Sequence, residues 1–240
     1  RTGGSASLDI AYGVSVGMYN NVYLVGTTYA TTLDGQTNAG VSDIFLIKWT
    51  SAGSKVWTVL AGTVNPDYGF AVAASSTDQG VYVVGMPGAT IDGATTFGGN
   101  DIALIKFNPS TGGRQWTKII GTSVDDTPKA VIANPVDGSV YLAGSTAGAL
   151  YSASNAGGED AIVAKFNVTV TWCPAGFYCS SGTPASKLAC PAGSYCPAGS
   201  IAAVTCPASN YCPAGASLYT ACAAGTFCPE GSSAATACPA

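Results

Sequence analysis

Nine cysteines are the residues of this chain best suited to chemistry, and all of them lie between Cys173 and Cys238. They fall in close pairs, Cys173 with Cys179, Cys190 with Cys196, Cys206 with Cys212 and Cys222 with Cys228, and Cys238 follows alone. Zinc is usually held by Cys/His clusters whose paired cysteines stand roughly two to four residues apart. Here the spacing within each pair is the wider Cys-x5-Cys, and the chain contains no histidine. Dense cysteine in a short, loop-rich stretch predicts disulfides and an oxidising compartment instead. Two pairing schemes leave no orphan at Cys173. One closes each pair on itself, and the other alternates, joining Cys173 to Cys190 and Cys179 to Cys196. In either scheme Cys238 is expected to pair with a residue further along a longer chain.

Histidine is also what a Ser-His-Asp or Cys-His nucleophile needs, so neither can be built here. Gly144-Ser145-Thr146-Ala147-Gly148 carries its serine in the wrong place for a nucleophile elbow. No phosphate-cradling glycine loop follows a strand and opens a helix. Paired carboxylates could do acid–base work. However, Asp43, Asp101 and Asp160 recur at one place in every copy of a repeat, whereas a catalytic pair occupies one asymmetric site. They read as caps at strand starts, bonding nearby backbone N–H groups. Asp125-Asp126 and Glu159-Asp160 read as solvated turns. Trp57, Trp116 and Trp172 recur likewise and are expected in the core between repeats. Lys48, Lys106 and Lys165 are expected at sheet edges. The sequence therefore predicts no catalytic site, no metal and no cofactor.

The elements that position these residues come from the repeat itself. Val22-Tyr23-Leu24-Val25-Gly26 returns as Val81-Tyr82-Val83-Val84-Gly85 and as Val140-Tyr141-Leu142-Ala143-Gly144, at the same interval both times. Further along each copy, Asp43-Ile44-Phe45-Leu46-Ile47-Lys48-Trp49 recurs from Asp101 and again, degenerately, from Asp160. Recurrence at fixed phase marks a repeat array. In the second copy four strands are predicted, over 69–74, 80–85, 101–108 and 114–121, with turn-rich links and no helical periodicity. Four short strands per unit describe the blade of a β-propeller. Blades are covered on both faces, which explains why Ile102-Ala103-Leu104-Ile105 is apolar without alternation. The predicted organisation is all-β, a partial β-propeller followed by a disulfide-stapled stalk. Three four-stranded blades lie near 9–66, 67–125 and 126–172. A loop-rich cysteine array occupies 173–240, its CPAG-like units opening at Cys173, Cys190, Cys206 and Cys222.

Composition bounds the partners. Only 9% of residues are charged and the net charge is −4, with no basic cluster to bind nucleic acid. Apolar content is 47%, but it comes in short runs rather than the roughly 18 residues a spanning helix needs. Residues 1–8 align with the links between units, which predicts an earlier unit upstream. Any secretory leader is expected to have been removed. Asn167-Val168-Thr169 is a sequon for N-linked glycan. Three blades leave two apolar faces uncovered, so further blades or a neighbouring subunit are expected to cover them.

The blade pattern, VYLVG followed by G-x-D-I-x-L-I-K-[WF], resembles the SBBP-type β-propeller repeats of secreted and surface proteins. The C-P-A-G-x-[YF]-C units resemble the cysteine-rich GCC2/GCC3 (ephrin-receptor-like) repeats, although the Cys-x5-Cys spacing departs from that form. Together these resemblances imply a large extracellular protein of algae or other protists, of the mastigoneme kind that builds filaments on flagella. They imply a secreted structural glycoprotein, partnered by other copies or subunits and carrying glycans. The second function implied is an adhesive module binding glycan or protein through the long loops 27–42 and 86–100.

Overall fold

The computed structural model describes residues 4–135, 137–151, 153–167, 173–179, 187–197, 199–200 and 202–238. The chain divides into two compact units, Arg1–Val168 and Thr169–Ala240.

Among the described residues the regular elements of the first unit are strands, apart from one 3-10 turn at Met18–Asn20. Its strands are β1 Asp9–Val16, β2 Val22–Thr28, the short β3 Thr32–Leu33 and β4 Gln36–Thr37, β5 Asp43–Trp49 and β6 Lys55–Ala61. They continue as β7 Tyr68–Ala74, β8 Val81–Met86, β9 Ile102–Phe107, β10 Arg114–Ile120, β11 Asp126–Ala133, β12 Val140–Thr146 and β13 Asp160–Phe166. Sheet 1 runs β1-β2-β5-β6, sheet 2 runs β7-β8-β9-β10, and sheet 3 runs β11-β12-β13, all antiparallel. Sheet 3 thus has three strands among the described residues where four were expected. Residues 168–172, with Trp172, lie outside those described.

Each first strand carries one extra residue against its partner. The register skips at Tyr12, Phe70 and Lys129, so the bulge is part of the repeat. The outer strands of sheets 1 and 2 also slip once, at Val56 and Gln115. Strands β1, β7 and β11 lie side by side. Their approach is close: a Cβ on Gly13 would stand 2.9 Å from the Ala71 Cα. The long connection of each of the first two repeats folds back as a hairpin, at Asp34-Gly35 and at Asp92-Gly93. All four residues have positive φ, between 50° and 79°, the pattern of an Asp-Gly type I′ turn.

The cores lie between sheets. Tyr23, Val25, Ile44 and Leu46 of sheet 1 pack on Val72, Val81, Val83, Ile105 and Phe107 of sheet 2. The other face of sheet 2, with Tyr82, Val84, Ile102 and Leu104, packs on Val131, Val140, Leu142 and Ala164 of sheet 3. Burial on both faces is why β9 is buried at every position. On the remaining face of sheet 1, Phe45, Ile47 and Trp49 are buried with Leu33 of the β3–β4 hairpin. The three sheets form an open series; no closed ring is present among the described residues.

The second unit consists of four two-stranded hairpins among the described residues. They are β14 Phe177–Cys179 with β15 Lys187–Ala189, β16 Ser194–Tyr195 with β17 Val204–Thr205, β18 Asn210–Tyr211 with β19 Thr220–Ala221, and β20 Thr226–Phe227 with β21 Thr236–Ala237. Such units bury almost no apolar side chain, so other bonds must hold them.

Candidate functional site

What the sequence builds repeatedly is a joint between one repeat and the next. In the sheet unit the joint starts from loops that aspartates clasp. Asp43, Asp101 and Asp160 each accept, through Oδ2, the backbone N–H four residues earlier, at Ala39 (3.0 Å), Phe97 (2.8 Å) and Ala156 (2.6 Å). Asp9, Asp67 and Asp126 do the same for Ser5, Thr63 and Thr122, each at 2.6 Å, and also accept the hydroxyls of those residues. The two families meet where sheets adjoin, because the Asp67 N–H donates to Ser42 O (2.9 Å) and the Asp126 N–H to Asn100 O (2.7 Å).

Buried carboxylates then stand close together. A Cβ on Gly121 would collide with Asp101 Oδ1 and lie 3.1 Å from Asp126 Oδ2. Oδ1 of Asp43, Asp101 and Asp126 is buried without a hydrogen-bond partner. Burial pushes the carboxyls of Asp43, Asp67 and Asp101 above the usual range, against the pull of their backbone N–H bonds. These aspartates hold loops, and among the described residues no three metal-ligating side chains converge.

A second cluster, of lysine and aromatics, links sheet 1 to sheet 2. Lys48 donates to Pro109 O (2.7 Å), and Trp57 Nε1 donates to the same oxygen (3.3 Å), so sheet 1 grips the β9–β10 loop of sheet 2. Tyr23 stacks obliquely on Trp57 at 6.0 Å, and burial pushes its hydroxyl up to about 12. In sheet 2 the matching pair is Tyr82 and Trp116 at 5.9 Å. Trp57 and Trp116 are therefore half-buried partners of the cores between sheets.

The lysines do not all lie at edges. Lys106 sits in the inner strand β9, buried, and its ammonium is 2.8 Å from Asp78 Oδ2, also buried. Tyr82 donates its hydroxyl to the same carboxylate, and Gly80 N–H reaches Oδ1 at 3.1 Å. Burial tends to raise the Asp78 carboxyl, but the bonds from Lys106, Tyr82 and Ser75 win and hold it below its ordinary value. The edge expectation failed because lysine spacing reveals phase within a repeat, not which strand the residue occupies or what faces it. In sheet 3 the same pair is Lys165 and Asp137, exposed, at 3.3 Å.

The loops between second and third strands are tied down. Asp34 pairs with Lys55 and accepts from Thr58 (2.6 Å). Asp92 pairs with Arg114 (2.9 Å) and accepts from Thr117 (2.5 Å). The sequence reading did not single out these aspartates. The recurrence of Asp34-Gly35 as Asp92-Gly93, in phase with the repeat, was nonetheless a readable turn signal.

In the second unit the joint is a ladder. Disulfides close within each repeat, Cys173–Cys179, Cys190–Cys196, Cys206–Cys212 and Cys222–Cys228, with Cα–Cα distances of 5.5 to 6.3 Å. Between repeats, Gly176, Gly193 and Ser209 donate N–H to the carbonyls of Cys196, Cys212 and Cys228, at 2.8 to 2.9 Å. In the other direction, Gly199, Gly215 and Gly231 donate to Cys173, Cys190 and Cys206, at 2.7 to 2.8 Å. Each cysteine turn is thus a rung hydrogen-bonded to the next. Cys238 is exposed and unpaired. Asn167 is exposed just after β13, and Val168 and Thr169 of its sequon lie outside the described residues.

No known family model matches this chain, and neither does any curated protein. Among the described residues no helix is long and apolar enough to cross a membrane. Four disulfides fit a secreted or extracellular protein, since such bonds persist in oxidising compartments.

Proposed function

We propose that the chain is a secreted structural glycoprotein whose sheets are blades of a β-propeller arc and whose cysteine repeats form a cross-linked stalk. Its role is that of a subunit in an extracellular filament or surface coat of the mastigoneme kind. The resemblances to SBBP-type and GCC2/GCC3 repeats point the same way, as does the exposed Asn167.

One observation carries this reading. In both units polar bonds join a repeat to its neighbour: Lys48, Trp57 and the Asp67 and Asp126 N–H groups do so between sheets, and backbone N–H groups bonded to cysteine carbonyls do so between the cysteine turns. The adhesive alternative needs free loops. The loops at 27–42 and 86–100 are instead pinned to the outer strands through Asp34 and Asp92, which weighs against it. Electron microscopy of native material tests the proposal, with regular fibres or an ordered coat expected. Dispersed particles that bind glycan through mutable loop residues would replace it with the adhesive reading.

A further inference from the structure

Each repeat sets a lysine of its third strand over a tyrosine of its second. Lys48 lies over Tyr23, Lys106 over Tyr82 and Lys165 over Tyr141, with ammonium-to-ring distances of 5.8, 5.7 and 5.5 Å. In sheets 2 and 3 an aspartate from the turn between the first and second strands completes the set. Asp78 lies 2.8 Å from the Lys106 ammonium and accepts the Tyr82 hydroxyl, and Asp137 lies 3.3 Å from the Lys165 ammonium. With the repeats in register, the residue of sheet 1 at that place is Tyr19. It supplies no carboxylate, and at 69% exposure its ring does not fill the gap.

The gap leaves two donors without an anion. Lys48 donates to Pro109 O (2.7 Å), but among the described residues no carboxylate pairs with it. Tyr23 is 2% exposed and burial alone raises its hydroxyl, whereas Tyr82 is raised also by its bond to Asp78. Burial likewise pushes the Lys48 ammonium below its ordinary value, with no neighbouring charge to hold it up. Beside both donors lies a hollow of about 150 Å³, lined by Gly17, Tyr23, Lys48, Ala74, Gly80 and Pro109 among others. All of its residues belong to sheets 1 and 2 and their turns. A cavity of about 150 Å³ admits benzene, so this one has room for a carboxylate on a small carbon skeleton. We propose that the hollow binds a small carboxylate, held by the Lys48 ammonium and the Tyr23 hydroxyl as Asp78 is held by Lys106 and Tyr82. A buried ammonium without a counter-charge is unfavourable, and an incoming carboxylate relieves it while forming charge-assisted bonds at both donors. The site adds a ligand to the structural role proposed above and does not depend on it.

The test titrates sodium acetate into the whole isotope-labelled chain, with ionic strength held constant by sodium chloride. Saturable NMR shifts are expected in the amides of residues 74–81, which border the hollow. The indole signal of Trp57 should move with them, since that ring stacks on Tyr23 and bonds Pro109 O. Acetamide, of the same shape without the charge, should shift neither. Tyr23→Phe removes a hydroxyl that has no partner among the described residues, so the urea midpoint should hold while acetate affinity falls roughly tenfold or more. Lys48→Met, checked for unchanged strand content by circular dichroism, should abolish the shifts. A parent chain that does not respond to acetate overturns the proposal. So does an equal response to acetamide or to added chloride, or a folded Tyr23→Phe chain that binds acetate as tightly as the parent.

Discussion

Replacing Asp78 by alanine should destabilise the sheet unit by about 3–5 kcal/mol, because it strands the ammonium of Lys106 inside β9 without a counter-charge. The size follows from burial: both partners are almost wholly shielded, and Lys106 has Asp78 as its ion-pair partner at 2.8 Å. The third repeat supplies an internal control. Asp137 stands at the equivalent position against Lys165, but both side chains are nearly half exposed, so Asp137→Ala should leave the unfolding transition where it was. Urea unfolding followed by tryptophan fluorescence reads both, since Trp116 packs against Tyr82, itself a donor to Asp78. The slope with urea should stay constant, so that the midpoint reports stability.

A double variant separates a stranded charge from simple lost packing. Asp78→Ala with Lys106→Met removes the ammonium and leaves an apolar side chain of similar length, which a buried site accepts. It should regain at least about 2 kcal/mol over Asp78→Ala, the remaining deficit being the unpartnered Tyr82 hydroxyl. The pH dependence has a definite sign. The Asp78 carboxyl is held below its ordinary value, so its contribution is present above the unfolded carboxylate range. It is lost as pH falls through the lowered folded value. The gap between parent and Asp78→Ala should therefore close only in strong acid. Equal shifts for Asp78→Ala and Asp137→Ala, or no recovery with Lys106→Met, would refute the reasoning.

Three further outcomes follow from the joints. Gly121→Ala drives a Cβ into the Asp101 carboxylate and should cost about 1–3 kcal/mol as an overpacked site, read as a lower urea midpoint. Asp43, Asp67 and Asp101 are raised by burial. Stability should thus decline as pH climbs from the unfolded carboxylate value through their folded ones, and Asp43→Asn with Asp101→Asn should flatten that decline in melting temperature above about pH 4. Ser209 holds a φ of 69° at the turn position where Gly176, Gly193 and Gly225 hold 82° to 85°. Ser209→Gly should relieve about 1 kcal/mol of strain and slow hydrogen exchange at the residue 209 amide, which bonds Cys228 O.

Much of the architecture was legible because it repeats. The apolar runs from Val81 and Ile102 showed strand phase directly, and the structure places β8 at Val81–Met86 and β9 at Ile102–Phe107, close to the predicted spans. A repeating pattern that leaves no orphan at Cys173 limited the pairing to two schemes, and the within-repeat one is formed. What sequence did not show is tertiary. Nothing in the spacing of Lys106 says that Asp78, on the far side of β8 in the chain, meets it in a buried pair. The loops at 27–42 and 86–100 read only as long connections that could carry binding. Their tethers, Asp34 to Thr58 and Asp92 to Thr117, depend on a hairpin folding back over the outer strand.

The two units reach the same end by different physics, and size decides which. A four-stranded sheet has two apolar faces, so its neighbours bind through burial, and each interface removes whole side chains such as Leu104 from water. A cysteine turn, far shorter, has no such faces. Its neighbours bind through carbonyls and N–H groups that the disulfide holds in place, as Gly193 to Cys212 shows. In both arrays a repeat touches mainly the next one, so stability is the sum of intrinsic and nearest-neighbour parts. The intrinsic part differs sharply. A cysteine turn keeps its covalent closure even with one neighbour, as at the half-exposed Cys222. A sheet with one neighbour leaves an apolar face to water, as at Val163. The sheet unit therefore depends on burial at both of its faces in a way that the cysteine unit does not.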